Sequence, residues 1–147
     1  MPVIKVWCLP PGQSEDDLNR LYQNIVEAAV SVTELGLRGG KDITCLFPPD
    51  LMQLGLGEEI IIEIGGLFQK PERTPEVRQR LARSVGESVK RLYPKAMVEC
   101  FVRTIDPSQG FWTSASAEEK KESECEVHGS IEHMQSSTGL CPSCGKP

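Results

Sequence analysis

A strand, a helix and a strand occur twice in the same order along this chain, and this repeat restricts the fold more than any other feature. Residues 2–9 (PVIKVWCL) alternate as a strand, which Pro10 and Pro11 end because neither can donate a ladder hydrogen bond. A helix follows from Ser14, a good N-cap with acidic residues in the next turn. Residues 42–47 (DITCLF) form the second strand. We expect the helix to end at a cluster of glycines, Gly36, Gly39 and Gly40.

The second unit repeats this order. Residues 59–64 (EIIIEI) have the strongest strand propensity in the chain. Thr74 and Pro75 mark a helix start, with an N-cap and a proline at the first helical position, and residues 97–102 (MVECFV) form the last strand. Each helix has a single apolar stripe, so both are expected on one face of a shared four-stranded sheet. Crossover connections make the two strands of each unit parallel. The predicted class is α+β, built from two βαβ units.

Composition excludes several classes of protein. The 147 residues suffice for one ordinary core. The net charge is −5, and residues 115–147 hold six acidic against three basic residues, so the body is nearly neutral and nucleic acid is not an expected partner. No apolar stretch approaches the ~20 residues of a membrane-spanning helix. The start, MPVIKVWCLPPG, lacks the basic and long apolar regions of a secretory signal, so we expect a cytoplasmic protein without a membrane partner.

The C-terminal tail has the ligand spacing of a zinc ribbon. Residues 113–124 (TSASAEEKKESE) carry no large apolar group and are interpreted as a linker, which leaves a body at 2–112 and a ribbon-like tail at 125–147. Two knuckles, C-x2-H-G and C-P-x-C-G, would each give two ligands to one structural zinc ion. The best set is Cys125, His128, Cys141 and Cys144, with His133 as an alternative fourth ligand. The competing interpretation is a disordered, partly oxidised tail, since a C-x2-C sequence can also be redox-active.

The body resembles the double-unit members of the tautomerase superfamily, namely the macrophage-migration-inhibitory-factor, malonate semialdehyde decarboxylase and cis-chloroacrylic acid dehalogenase groups. The likeness rests on the PVIKV start directly after Met1, the Phe-Pro-Pro-Asp sequence at 47–50, the Ile-Gly-Gly-Leu-Phe sequence at 64–68 and the short segment Lys70 to Thr74. It covers residues 2 to about 112.

The resemblance implies that Pro2 is catalytic. Removal of Met1 would free its secondary amine to act as a general acid or base on a small carboxylated keto or enol substrate, with no cofactor for catalysis. Such an amine can be neutral near physiological pH when burial and nearby cations disfavour its charge. Two alternatives stay open: a decarboxylase or hydratase of a small three-carbon acid on the same fold, and a non-enzymatic, zinc-containing binding module.

Substrate-binding candidates follow from the same resemblance. Relatives that decarboxylate or dehalogenate small acids carry arginines in the segment that contains Arg73, which makes Arg73 the first choice. Arg38 resembles the position of a substrate-facing lysine, and Lys70 and Arg103 are further cations at strand or loop ends. Phe111 and Trp112 match aromatic residues that relatives place over the proline. Each cation can equally be a solvated surface charge, and the aromatics can equally be core.

A homotrimer is the expected assembly. The resemblance supplies this expectation, and the two unpaired edges of a four-stranded sheet make association favourable. Threefold closure would pair those edges between subunits without open growth.

Overall fold

The computed structural model describes residues 1–54 and 58–115. The chain divides into two compact units, Met1–Pro107 and Ser108–Pro147, and the helices and strands given next belong to the first. In chain order they are β1 (Val3–Trp7), α1 (Glu15–Val30), β2 (Thr44–Leu46), β3 (Glu59–Phe68), α2 (Pro75–Leu92) and β4 (Met97–Ile105). None of the helices in the described ranges is long and apolar enough to cross a membrane.

One mixed sheet has the strand order β2-β1-β3-β4. β1 is parallel to β2 and β3 is parallel to β4, which confirms the expectation of parallel strands within each unit. The two βαβ units join through antiparallel pairing of β1 with β3, in which Val3 lies opposite Gly65. The predicted α+β class, with two βαβ units in one four-stranded sheet, is therefore confirmed.

Both helix starts lie where the capping residues place them. The Ser14 side chain accepts a hydrogen bond from the Asp17 N–H at 3.1 Å, and the Asp17 carboxylate accepts one from the Ser14 N–H, which forms a capping box. Thr74 caps α2 by accepting from the Val77 N–H, with Pro75 at the first helical position.

The end of α1 differs from the prediction. The helix stops at Val30, before the glycines, and two 3-10 turns at Thr33–Leu35 and Gly40–Asp42 continue the chain. Ser31 donates a side-chain hydrogen bond to the Ala28 carbonyl at 2.6 Å, and the β-branched residues around it disfavour another helical turn. These turns place residues 33–38 beside the start of β1, where they line a cavity.

Both helices cover one face of the sheet. Ile4 and Val6 of β1 and Ile60, Ile62 and Ile64 of β3 point into this core and are essentially inaccessible to solvent. The alternate residues of the same strands face the other side, which carries no helix in the described part of the chain. Half-buried or exposed apolar groups remain on this open face, namely Trp7, Leu46, Ile61 and Phe101.

The strand β3 runs four residues beyond the predicted end at Ile64 because its glycines form a bulge rather than an exit. The pairing with β4 shifts register between Ile64 and Leu67. Gly66 has φ +76°, a left-handed conformation that suits glycine. The strand then resumes through Leu67 and ends at Phe68.

Candidate active site

Pro2 is buried at the point where the chain enters the sheet. Its carbonyl accepts a hydrogen bond from the Thr44 N–H at 3.0 Å, so β2 holds Pro2 from one side. The β3 bulge holds it from the other: a Cβ built on Gly66 would lie 3.5 Å from the Pro2 Cα and 2.5 Å from the Met1 carbonyl oxygen. A glycine at this position therefore lets β3 approach the start of the chain closely. Met1 itself is 65% exposed.

A cavity of about 570 Å³ opens beside Pro2. Its walls come from the turn after α1, the end of β3 and the loop before α2. Three of the predicted substrate-binding cations, Arg38, Lys70 and Arg73, line this cavity together with Pro2. The cavity thus brings together residues that lie up to 71 positions apart in the sequence.

Arg73 is fixed by backbone carbonyls on two elements. Its Nη1 donates to the Phe68 carbonyl oxygen at 3.0 Å, and its Nη2 donates to the Leu35 carbonyl oxygen at 3.3 Å. The Nε atom is buried and finds no acceptor in residues 1–54 and 58–115. A side chain held in this way joins the end of β3 to the turn after α1, while its buried Nε–H has no acceptor among the described residues.

Arg38 is paired within the protein. Its N–H donates to the Asp42 carboxylate at 2.9 Å and its Nε lies 3.4 Å from the same oxygen, while the Arg38 side chain is 89% exposed. The hydrogen bond from this N–H is the largest cause that holds the pKa of Asp42 below its usual range, and the positive amino terminus of the chain contributes a smaller part. Asp42 also lines the cavity, so an ionised carboxylate lies near the start of the chain.

The remaining charges of the cavity are mixed. Lys70 is exposed, and its carbonyl accepts from the Arg73 N–H at 3.0 Å. Glu34 forms an ion pair with Arg80 of α2, and Glu72 is exposed at the rim. The acidic residues of the cavity were not predicted, although Asp42 follows Arg38 at the four-residue spacing of an ion pair. Gly66 was noted only as part of the Ile-Gly-Gly-Leu-Phe sequence that carries the family resemblance.

The other three predicted binding residues belong to β4 or follow it in the chain. Arg103 is not among the residues that line the cavity; it is an exposed residue of β4 whose side chain alternates with those that face the helices. Phe111 and Trp112 follow β4 in the second compact unit and are 48% and 80% exposed.

The zinc ligands predicted in the tail, Cys125, His128, Cys141 and Cys144, with His133 as the alternative, lie outside the described residues. Within 1–54 and 58–115, no group of three or more histidine, cysteine, aspartate or glutamate side chains is placed to hold a metal ion. Burial raises the pKa of the Cys45 thiol to about 11 and that of Cys100 to about 12. Both pack against the core, as expected for small apolar residues.

No known protein-family profile matches this sequence, and no curated protein sequence is significantly similar to it. Solved structures do match. Native fused 4-OT has a TM-score of 0.60 at 17% identity, covering 79% of this chain and 98% of that one. F6 fused 4-OT, described as an asymmetric trimer, has a TM-score of 0.59 at 16% identity, with 76% and 92% covered. N1, a member of the cis-3-chloroacrylic acid dehalogenase (cis-CaaD) family, has a TM-score of 0.58 at 12% identity, with 82% and 90% covered.

These likenesses establish a shared fold. The first compact unit is a tautomerase-like α+β domain, as the resemblance of the sequence predicts.

Proposed function

We propose that this protein is a tautomerase-type isomerase that uses the amine of Pro2 as a general acid and base on a small carboxylated keto or enol substrate. The observation that carries the proposal is the position of a buried Pro2 in the wall of a cavity that Arg38, Lys70 and Arg73 also line. The fold shared with fused 4-OT and with a member of the cis-CaaD family supports it.

Removal of Met1 precedes catalysis. It frees the prolyl nitrogen and takes an exposed side chain out of the cavity lining. The neutral amine takes a proton from the carbon next to a carbonyl; the electron pair of that C–H bond forms a carbon–carbon double bond, and the π pair of the carbonyl moves to its oxygen to give an enolate. The cations that line the cavity, Lys70 and Arg73, stabilise the negative charge on that oxygen. The protonated amine then delivers the proton to the enolate oxygen, which gives the enol, or to a different carbon of a conjugated substrate, which completes the isomerisation.

Arg73 and Lys70 are the proposed carboxylate ligands. Arg38 is already paired with Asp42, so its charge is partly neutralised. Arg73 combines a fixed position with a positive charge in the cavity wall, which suits it to bind an anion of defined orientation. Lys70 is exposed at the mouth of the cavity and can follow a substrate of variable length.

We also propose a homotrimer, which the solved fused 4-OT trimers support. The edge strands differ greatly in length, because β2 has three residues and β4 has nine. Pairing of β2 with β4 between subunits would leave most of β4 unpaired. The open face of the sheet, with Trp7, Leu46 and Ile61, is therefore the better contact for a threefold assembly.

The direct test is the state of the amino terminus together with a Pro2→Ala variant. Intact-mass measurement should show a chain without Met1. A screen with phenylpyruvate, 2-hydroxymuconate and malonate semialdehyde should detect proton transfer, while release of carbon dioxide from the last would indicate a decarboxylase. Pro2→Ala should keep the fold but lose turnover by orders of magnitude, because a primary amine replaces a rigid secondary one. Full activity of that variant, or a retained Met1 in active protein, would refute the mechanism.

Arg73→Ala, with Arg38→Ala as its control, tests the anion site. Arg73→Ala should raise KM, lower kcat or both by about tenfold or more, and should also lower stability by about 1.5–3 kcal/mol because charged hydrogen bonds to two carbonyls are lost. Arg38→Ala removes only an exposed ion pair, and we expect it to lower the free energy of unfolding by less than about 1 kcal/mol. Equal kinetic losses in the two variants would move the anion site away from Arg73.

A further inference from the structure

Within the described residues, the outer edge of β4 is a long strand edge without a partner strand. In the described part of the chain, β4 pairs with β3 alone. The Met97 N–H donates to Glu58 at 2.8 Å, and the Ile105 carbonyl accepts from Gln69 at 2.9 Å, so the odd-numbered residues of β4 turn their backbone groups toward β3. The even-numbered residues therefore turn theirs outward, where they can pair with another strand: Val98, Cys100, Val102 and Thr104.

The side chains of β4 are complementary to a second, antiparallel copy of the same strand. A twofold axis at Phe101 places Glu99 opposite the partner's Arg103 and Arg103 opposite the partner's Glu99. Both residues are exposed, and neither forms an ion pair with another described residue. Because the even-numbered residues carry the outward hydrogen bonds, the odd-numbered residues form the non-hydrogen-bonded pairs, whose side chains approach most closely.

Other antiparallel registers lack this match. A shift of the axis to Cys100 sets Glu99 opposite the partner's Phe101, and a shift to Val102 sets Glu99 opposite the partner's Ile105. The register at Phe101 instead joins two half-exposed aromatic rings, since Phe101 is 44% exposed, and sets Met97, 56% exposed, opposite the partner's Ile105. Charge and apolar contacts thus favour the same register.

The helix α2 lies beside the edge of β4. Residues of both elements line a cavity of about 530 Å³, and Gly86 lies next to Cys100, with a Cβ-to-Cβ separation that would be 3.6 Å. Arg83 and Glu87 stand on either side of this point and form an exposed ion pair along α2 at 3.7 Å. Charges of both signs therefore lie on α2 beside the edge of β4.

We propose that β4 is an interface with a second copy of this chain, in which the two β4 strands pair antiparallel about a twofold axis at Phe101. The contact is isologous and closes after two copies, so it covers the strand edge without open growth. Its paired side chains lie on the open sheet face, as the trimer contact does, but they belong to β4, whereas the contact proposed for the trimer uses Trp7, Leu46 and Ile61 of the other three strands. The protein would then be a dimer if it forms this contact alone and a hexamer of two trimers if it forms both.

Charge reversal tests the register directly. Glu99→Arg and Arg103→Glu each create two like-charge pairs across the axis, and each should weaken the association about tenfold or more and halve the mass seen by native mass spectrometry at micromolar concentration. The double variant Glu99→Arg/Arg103→Glu restores opposite charges and should restore the wild-type mass. Circular dichroism should be the same for all four proteins, because both side chains are exposed.

Amide hydrogen exchange gives an independent measurement. The Cys100 and Val102 N–H groups should be protected in the wild type and the double variant and should exchange faster in each single variant. Unchanged mass in both single variants, or a double variant as small as the single ones, would overturn the proposal. Fast exchange of these amides in the wild-type assembly would do so as well, because it would leave the β4 edge without a partner strand. Loss of the trimer alone would leave the halving of mass intact, so the two assembly proposals fail separately.

Discussion

Gly66→Ala tests whether the bulge of β3 is what lets Pro2 occupy its position. Two contributions to the loss of stability in this variant can be separated. The left-handed backbone, φ +76°, should cost an alanine about 1–2 kcal/mol in any form of the chain. The new Cβ would also lie 2.5 Å from the Met1 carbonyl oxygen, closer than the 3.0 Å that real Cβ atoms respect. This second cost disappears once Met1 is removed, because the remaining neighbour is the Pro2 Cα at 3.5 Å, an ordinary contact.

Gly65→Ala is the matched control. Gly65 precedes Gly66 in the same strand, its φ is not positive, and a Cβ built there has no neighbour within 4 Å. We expect the free energy of unfolding of this variant to lie within about 0.5 kcal/mol of the wild-type value. Each alanine should be measured in two forms, the processed chain and a chain with an N-terminal extension that retains Met1.

Chemical denaturation gives the free energy of unfolding, and turnover of the processed protein gives the effect on the site. The free energy of unfolding of processed Gly66→Ala should be about 1–2 kcal/mol lower than that of the wild type. Each kcal/mol corresponds to a decrease in Tm of roughly 4–8 °C for a domain of this size. The form that retains Met1 should lose more, and turnover should fall because the bulge supports Pro2. If Gly66→Ala matches Gly65→Ala in both forms, the bulge has no role in holding the amino terminus.

The remaining predictions concern the cysteines. Cys45 and Cys100, whose thiol pKa values burial raises to about 11 and about 12, should resist alkylation at neutral pH in the native protein and react rapidly in denaturant, as mass spectrometry of the labelled peptides will show. Equal labelling rates in the two conditions would contradict their burial. The tail should bind about one zinc per chain in elemental analysis, and chelation should leave the domain folded and active. A metal-free chain whose tail thiols react freely, or loss of activity on chelation, would contradict this; the expected ligands are Cys125, His128, Cys141 and Cys144.

The elements of the fold could be predicted because each carries a local signal. The capping box at Ser14, the Thr74-Pro75 start and the isoleucines of β3 act over a few residues, and all lie where the sequence indicates. The end of α1 could not be placed, because the glycines at 36–40 are visible in the sequence while the earlier stop depends on the Ser31 hydrogen bond. The continuation of β3 through Gly66 depends likewise on a neighbour distant in sequence, the start of the chain.

The candidate site was harder to predict than the fold because its residues come from separate parts of the chain. Nothing in the spacing of Pro2, Arg38 and Arg73 indicates that they share a cavity; only the family resemblance grouped them. The resemblance equally grouped Arg103, which lies on β4 and does not line the cavity. The carbonyl contacts of Arg73 and the acidic wall at Asp42 depend on packing between elements, for which a single sequence carries no pattern.

The chain contains two βαβ units but only one proposed active site, and a comparison of the two units explains why. Pro2 precedes β1 and accepts a hydrogen bond from Thr44 at 3.0 Å, while Glu58 precedes β3 and accepts one from Met97 at 2.8 Å, so the two residues are equivalent in the two units. Each borders a cavity, of about 570 Å³ and 540 Å³, that the segment after the helix of its own unit also lines.

The second cavity differs in chemistry rather than in shape. It has a glutamate in place of the proline, and its wall is formed by prolines, Leu92 and Tyr93 with Lys95 as its one cation among the described lining residues. Glu58 lies inside the chain, where its backbone nitrogen is an amide that cannot take up a proton at neutral pH. Under the proposed mechanism, removal of Met1 turns the amide nitrogen of Pro2 into a basic amine, a step that is not open to Glu58. The antiparallel pairing of β1 with β3 then brings the cations of the second unit, Lys70 and Arg73, to that amine.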